Sequence, residues 1–214
     1  MSYGYLGDSS TKIKQVKKND GIITASEAFD LESKGHLGGS WELIQTQSHS
    51  GNVSAVDFTS IKEGKYDVHC LLIANVVFNS GSTQDVPAIR LREAGTWEES
   101  TGYQTGEFWM ASSNTFAEVR ETDHDFIFIG NDCAGPWNAT VHIYGAGDSA
   151  KYTLTNHYST DQDADNGRFV QTFGGAQLKQ TSVVDGIRVL GGDSATAMSS
   201  YKMSLYGMKQ IWVI

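Results

Sequence analysis

Proline and cysteine are nearly absent, with two of each in 214 residues. Pro87 and Pro136 are too few for a proline-rich disordered tract. Two cysteines cannot build a disulfide framework, and nothing requires an oxidising compartment. Cys70 lies in the apolar alternation Tyr66, Val68, Cys70, Leu72 and reads as a buried thiol, with a Cys70–Cys133 disulfide as the alternative. No apolar run approaches the length of a membrane span, so membrane insertion is not expected. No apolar leader opens the chain, so it is expected to be made and folded in cytoplasm, and the sequons at Asn52 and Asn138 then carry no meaning. Positive charge is short: 16 Lys and Arg against 25 Asp and Glu, a net charge of −9. That balance argues against nucleic acid, whose binders need cationic surface to displace counterions.

Enzyme motifs are missing as well. There is no Gly-x-Ser-x-Gly elbow and no His-Glu-x-x-His pair. The segment 145–149 (Gly-Ala-Gly-Asp-Ser) has glycines like a phosphate loop. It lacks the Lys-Ser/Thr ending and reads as a hairpin turn. Asp123-His124-Asp125 has no further ligand at metal spacing and reads as a polar turn before Phe126. His69 and His142 read as in-strand polar or satisfied core residues. A carbohydrate-active enzyme needs only two carboxylates, and Glu98, Glu99 and Glu107 keep that remote alternative open.

Strand alternation is abundant. Residues 184–190 (Val-Asp-Gly-Ile-Arg-Val-Leu) and 201–208 (Tyr-Lys-Met-Ser-Leu-Tyr-Gly-Met) read as two closing strands. A strand over 41–47 is expected to turn at 48–52 into another over 53–59. Residues 66–78 form a long strand with a bulge or bend near Asn75. Ile89 and Leu91 alternate with Arg90 and Arg92, and 126–129 is a short apolar run buried on both sides. Residues 140–144, 151–158 and 168–173 form a meander with turns at 145–148 and 161–167. In 151–158, Tyr152 and Leu154 face one way, while Lys151, Thr153 and Thr155 face the other. Eight to ten such strands predict an all-β, antiparallel two-sheet sandwich, jelly-roll-like, over 41–214.

Residues 1–40 form a separate, extended N-terminal arm. Its start is rich in Tyr and Gly, and Lys12, Lys14, Lys17 and Lys18 make it basic. Thr24 and Glu27 fit a capping box, and Gly35 fits a helix stop. The arm reads as a disordered tail or a docking segment ordered by a partner. Tyr3, Tyr5, Leu6 and the four lysines are its candidate anchoring residues.

Two further segments draw attention. Residues 94–125 are a weakly patterned excursion rich in aromatics, with short strands such as 107–111 inside it. Trp97, Tyr103 and Trp109 are its candidate ligand or partner surface, able to offer flat faces to sugar rings; packing over the sandwich or between subunits is the competing reading. Asp161, Asp163 and Asp165 alternate in a tight loop, which is how chains wrap a hard cation such as Ca2+. An EF-hand loop needs Gly at its sixth position and Glu at its twelfth, where this chain has Asn166 and Thr172. The departures favour a solvated acidic hairpin loop, with Ca2+ as the alternative.

The ordered series Trp41-Glu-Leu-Ile-Gln-Thr-Gln47, Val56-Asp-Phe-Thr59, Tyr66-Asp67, Asp185-Gly-Ile-Arg-Val189 and Leu205-Tyr-Gly-Met-Lys209 resembles small β-sandwich structural proteins of tailed-bacteriophage virions. The resemblance is especially to those of marine and cyanobacterial phages. The opening Met-Ser-Tyr-Gly-Tyr-Leu also looks like the start of such appendage proteins. The resemblance implies a non-enzymatic virion protein: a tail-fibre-like or baseplate appendage, anchored to other virion proteins by its arm and attaching to host surface glycan. Its alternative is a capsid decoration protein bridging capsomers. It also implies a homo-oligomer, with a trimer favoured, whose repeated weak sites gain avidity. Finally, residues 210–214 form an apolar tail in which Trp212 is expected to pack.

Overall fold

The computed structural model describes residues 41–78, 86–100, 102–131, 133, 135–163, 167–192 and 197–208. They belong to a compact unit, Trp41–Ile214. The arm with Tyr3, Tyr5, Leu6, Lys12, Lys14, Lys17 and Lys18, the loop residue Asp165, and Trp212 lie outside the described residues.

Thirteen strands follow in order: β1 Glu42–Val53, β2 Ala55–Phe58, β3 Val68–Phe78, β4 Pro87–Glu93, β5 Thr96–Trp97, β6 Tyr103–Ala111, β7 Thr115–His124, β8 Ile127–Phe128, β9 Trp137–Tyr144, β10 Tyr152–Gln162, β11 Phe169–Thr181, β12 Val184–Gly191 and β13 Met198–Met208. The larger sheet has eight strands in the order β1-β13-β3-β9-β10-β11-β6-β7. The smaller has the order β2-β12-β4-β5, with β8 beside β4. Pairings are antiparallel in both. The fold is therefore an all-β two-sheet sandwich.

Alternation decides what lies between the sheets. Phe58, Ile89, Leu91, Ile187 and Val189 of the smaller sheet share a core with Leu71, Ile73, Val141, Ile143, Met203 and Leu205 of the larger. Each is nearly or fully buried, and each such side chain contributes roughly 1.5–3 kcal/mol of transfer free energy. A second cluster joins Ala88, Phe126, Phe128 and Leu190, with Val119 of β7 packed on it. The run 126–129 is buried throughout, as its composition indicates. The bend in β3 is real: Asn75 has φ 53°, and the pairing with β9 shifts between Ile73 and Val76.

Two expectations are corrected. No turn interrupts residues 48–52: β1 runs through them, because Ser48, His49 and Ser50 pair with Lys202, Tyr201 and Ser200 on an exposed edge strand. An edge strand needs backbone pairing on one side only, so a polar Ser-His-Ser-Gly stretch can stay extended. Residues 94–125 are not an excursion, since β6 and β7 are full strands of the larger sheet. The two closing strands, β12 and β13, are both present and lie in different sheets, a placement their alternation does not specify.

Both cysteines are free and buried, so the disulfide alternative falls. Burial pushes the Cys70 thiol up to about 11.

Candidate functional site

Strand β10, the middle of the meander β9-β10-β11, has an inverted distribution. The inward side chains of β10 are Thr153, Thr155, His157, Ser159 and Asp161, all buried. Its outward side chains include Tyr152, Leu154 and Tyr158, each close to half exposed. The same inversion continues on β6, where Thr105 and Glu107 are buried while Phe108 and Met110 are exposed.

Inside, His157 Nε2 lies 3.2 Å from Glu107 Oε2, and both side chains are sealed from solvent. These residues sit on strands that are not neighbours, since β11 runs between them. Gly174 of β11 is the partner of both His157 and Glu107 and presents no side chain in the gap. The approach is not a formed hydrogen bond: Glu107 Oε2 and both His157 ring nitrogens, like the buried hydroxyls of Thr105, Thr153, Ser159 and Thr172 on the same inner face, make no hydrogen bond among the described residues. A pair so sealed ties strands together; it does not meet a substrate from solution.

Outside, thirteen large apolar side chains are exposed among the described residues. Eleven of them lie on one face of the larger sheet: Leu43, Leu72, Phe108, Met110, Phe116, Tyr144, Tyr152, Leu154, Tyr158, Phe169 and Phe173. Tyr158, Phe173 and Phe108 are direct cross-strand partners and form a row across β10, β11 and β6. Phe108 stacks on Phe173 at 5.7 Å and on Phe116 at 5.3 Å between ring centroids. Beside the row, Gly106 and Gly175 are opposite one another on β6 and β11. They floor a groove of about 560 Å³ walled by Arg120, Gln104 and Gln177. Farther along, Leu154, Tyr144 and Tyr152 lead into a cleft of about 600 Å³ between the turn after β9 and residues 63–67. Gly147 lets the two walls meet, because a Cβ there would lie 2.3 Å from the Glu63 carbonyl oxygen.

The face of the smaller sheet that points away from the larger one is charged instead. Arg188 makes two hydrogen bonds to Asp57, at 2.7 and 2.8 Å. Arg90 donates to Asp125 at 2.5 Å, and Arg92 donates to Asp185 at 2.7 Å. Trp97 is held between two guanidinium groups, 4.3 Å from Arg188 and 5.7 Å from Arg92.

Compared with known proteins, the chain matches no family model, no curated protein and no solved structure.

The residues named from sequence as a ligand surface do not come together. Trp97 belongs to the arginine stack. Tyr103 is fully buried, and its hydroxyl accepts the Leu91 amide at 2.8 Å. Trp109 is half-buried and by alternation points with Tyr103 and Glu107 to the inner side of β6. The packing reading holds for Tyr103, and the outer aromatics Phe108, Phe116, Tyr158 and Phe173 were missed. Alternation alone could have found them, had Phe108 and Met110 been placed opposite Phe173 and Gln171.

The acidic loop also reads differently. Asp161 and Asp163 are buried on the inner side. Arg168 donates to the Asp163 carboxylate at 2.9 Å, so a guanidinium already meets that charge. The proposed glycosidase carboxylates are divided: Glu107 pairs with His157, Glu99 lies 3.4 Å from Arg90, and Glu98 accepts from the Ser100 amide. Asp123 and Asp125 are engaged by Lys179 and Arg90, while His124 packs on Phe126 at 4.1 Å. His69, fully buried, shares a 2.9 Å hydrogen bond with the Ile61 carbonyl oxygen.

Proposed function

We propose that this chain is a structural protein of a bacteriophage virion, a tail-fibre-like or baseplate appendage that works by surface contact. The observation that carries the reading is the exposed aromatic face of the larger sheet, with eleven of the thirteen exposed large apolar side chains among the described residues. Soluble surfaces seldom gather so many on one side unless something docks there. A sheet face is rigid, so contacts on it lose little conformational freedom on binding. The resemblance of the framing strands to phage sandwich domains supplies the biological setting. Residues 1–40 serve as the anchor to other virion proteins, and symmetric copies, three in the favoured arrangement, present the aromatic faces together. The face meets the host surface, including its glycans. Non-catalytic attachment also accords with the sealing of Glu107 and His157 away from solvent.

Capsid decoration is the second reading. A wide, open apolar face is equally suited to lie against a neighbouring subunit, and interface cores are rich in Phe, Tyr and Met.

The test is to purify particles and locate this chain on them by tagging and imaging. Appendage function predicts tail or baseplate label, and loss of host adsorption in Phe108→Ser/Phe173→Ser particles that still incorporate the chain. Head label with reduced particle heat resistance on removal of the chain selects decoration. Absence from particles sinks both. Deleting residues 1–35 should abolish incorporation, and normal incorporation would end the anchoring role.

A further inference from the structure

A sheet ends at strands with one neighbour, and such edges expose unpaired backbone groups that a second chain can use. Among the described strands, most edges of this sandwich are blunted. The smaller sheet ends in β2, four residues long, and in β5 and β8, two residues each. At one side of the larger sheet, the register of β1 against β13 shifts between Leu43 and Gln45 and again between Ser50 and Val53. Such irregularities bend an edge away from a partner. Strand β7, at the other side, is ten residues long, and its pairing with β6 runs unbroken from Thr115 to Glu121. The neighbours of β7 fix its backbone phase. The Ser112 amide donates to the Phe169 carbonyl, and the Gly102 carbonyl accepts from the Lys179 amide. Even-numbered residues of β6 therefore bond toward β11, and odd-numbered ones toward β7. Glu107 and Trp109 are thus the bonded partners of Val119 and Ala117, which leaves the N–H and C=O of Phe116, Glu118 and Arg120 pointing away from β6.

These outward residues carry a pattern that a copy of the same strand complements. Glu118 and Arg120 lie two apart on one face, exposed and bonded to each other. When β7 meets itself antiparallel with Val119 on the axis, Glu118 faces Arg120 of the second copy, and symmetry supplies the converse pair. Directly opposed side chains lie about 5 Å apart, closer than the roughly 7 Å between alternate residues of one strand. The rest of this register opposes no like charges: Val119 meets Val119, Ala117 meets Glu121 and Phe116 meets Thr122. Moving the axis to Glu118 or Arg120 would set that charge against itself. Charges that blunt an edge repel a second copy. This pair attracts one.

We propose that β7 pairs antiparallel with β7 of a second copy about a two-fold axis at Val119, joining two eight-stranded sheets edge to edge. An axis perpendicular to the sheet preserves its faces. The aromatic face, which ends at β7 in Phe116 stacked on Phe108, therefore continues from one copy onto the next. The contact gives the homo-oligomer of the proposed function a symmetry, but it is tested on the purified chain without particles and stands whether or not the virion reading does. A two-fold contact coexists with a three-fold arrangement only in a dihedral assembly, which has an even number of copies.

The experiment is sedimentation velocity of the full chain over a range of concentrations. The wild-type chain should form a species with an even number of copies. Glu118→Arg and Arg120→Glu should each weaken that association by about tenfold or more, because each turns two attractive cross-strand pairs into two repulsive ones. An equimolar mixture of the two variants should associate again, since one then offers two arginines to the other's two glutamates. The double exchange, Glu118→Arg with Arg120→Glu, should restore self-association. Both positions are exposed, so each variant should keep the wild-type circular dichroism spectrum. A monomeric or odd-numbered wild-type species, an even-numbered species unmoved by either reversal, or no association in the mixture would overturn the proposal.

Discussion

Gly174 is the position where one added methyl group tests the internal logic of the larger sheet. A Cβ there would lie 2.5 Å from Glu107 Cβ and 2.6 Å from the Gly106 carbonyl oxygen. Neither neighbour is the far end of a flexible side chain. Gly174→Ala must therefore push β11 away from β6 or displace Glu107 from His157. Overpacking alone costs about 1–3 kcal/mol. Separating a buried pair costs about 3–5 kcal/mol when one member is left uncompensated. The two costs are alternatives more than a sum, because relaxation in either direction relieves the other, so a loss of about 2–4 kcal/mol is expected. The assay is urea unfolding followed by tryptophan fluorescence, read as a shift in midpoint at unchanged slope. Gly106→Ala is the matched control on the adjacent strand, since a Cβ there meets nothing within 4 Å. It should stay within about 0.5 kcal/mol of the parent. In a Glu107→Ala background the Gly174→Ala penalty should largely persist, since alanine keeps the Cβ that the added methyl meets. Equal midpoints for Gly174→Ala and Gly106→Ala would refute the reasoning, as would a penalty for Gly174→Ala below about 0.5 kcal/mol.

Four other outcomes follow from the same structure. Phe108→Ser and Phe173→Ser should each lower stability by about 1–2 kcal/mol in urea unfolding, since both rings are nearly two-thirds buried, and the double variant should abolish host adsorption while the chain is still incorporated. Burial lowers the basicity of His69 from its ordinary 6.5, so the folded chain resists the proton that the unfolded chain accepts. Its contribution is complete above about pH 6.5 and falls as the pH drops below that value; His69→Gln should flatten this part of the urea-midpoint profile. Ala94 and Gly95 turn between β4 and β5 with φ of 47° and 83°, so Ala94→Gly or Ala94→Asn should raise stability by about 0.5–1 kcal/mol in the same unfolding assay. A thiol reagent at pH 8 should leave both cysteines unmodified until denaturant is added, because both are buried and Cys70 ionises only near 11.

Strand periods were legible wherever Val, Ile and Leu alternate. The central strands β3, β4, β9 and β12 are of this kind, and even the bend at Asn75 showed through its polar interruption. Period does not say which face points inward. In β10 the two sets, Tyr152 and Leu154 against Thr153 and Thr155, separate cleanly in sequence, but the polar set is the buried one. Among the buried polar residues is a pair, Glu107 and His157, whose members are fifty residues apart and approach one another across Gly174. No local window contains it. The same non-locality hid β7 and all of β6 but its 107–111 end. Their outward aromatics and inward Thr105 and Glu107 resemble a loop until β11 is laid beside them. Trp97 is likewise unreadable alone, because the arginines that hold it come from β4 and β12. The exposed aromatic face was thus missed as a face, although every residue in it was in view.

Hydroxyl-radical footprinting of the chain, free and in its assembled or host-bound state, addresses the contact surface most directly. Phe108, Phe173 and Tyr158 should be reactive in the free protein and strongly protected after docking, while Trp97 on the charged sheet changes little. Unaltered reactivity of the three outer aromatics in the docked state, or protection confined to the Trp97 side, would contradict the assignment of the eight-stranded sheet's outer face as the working surface.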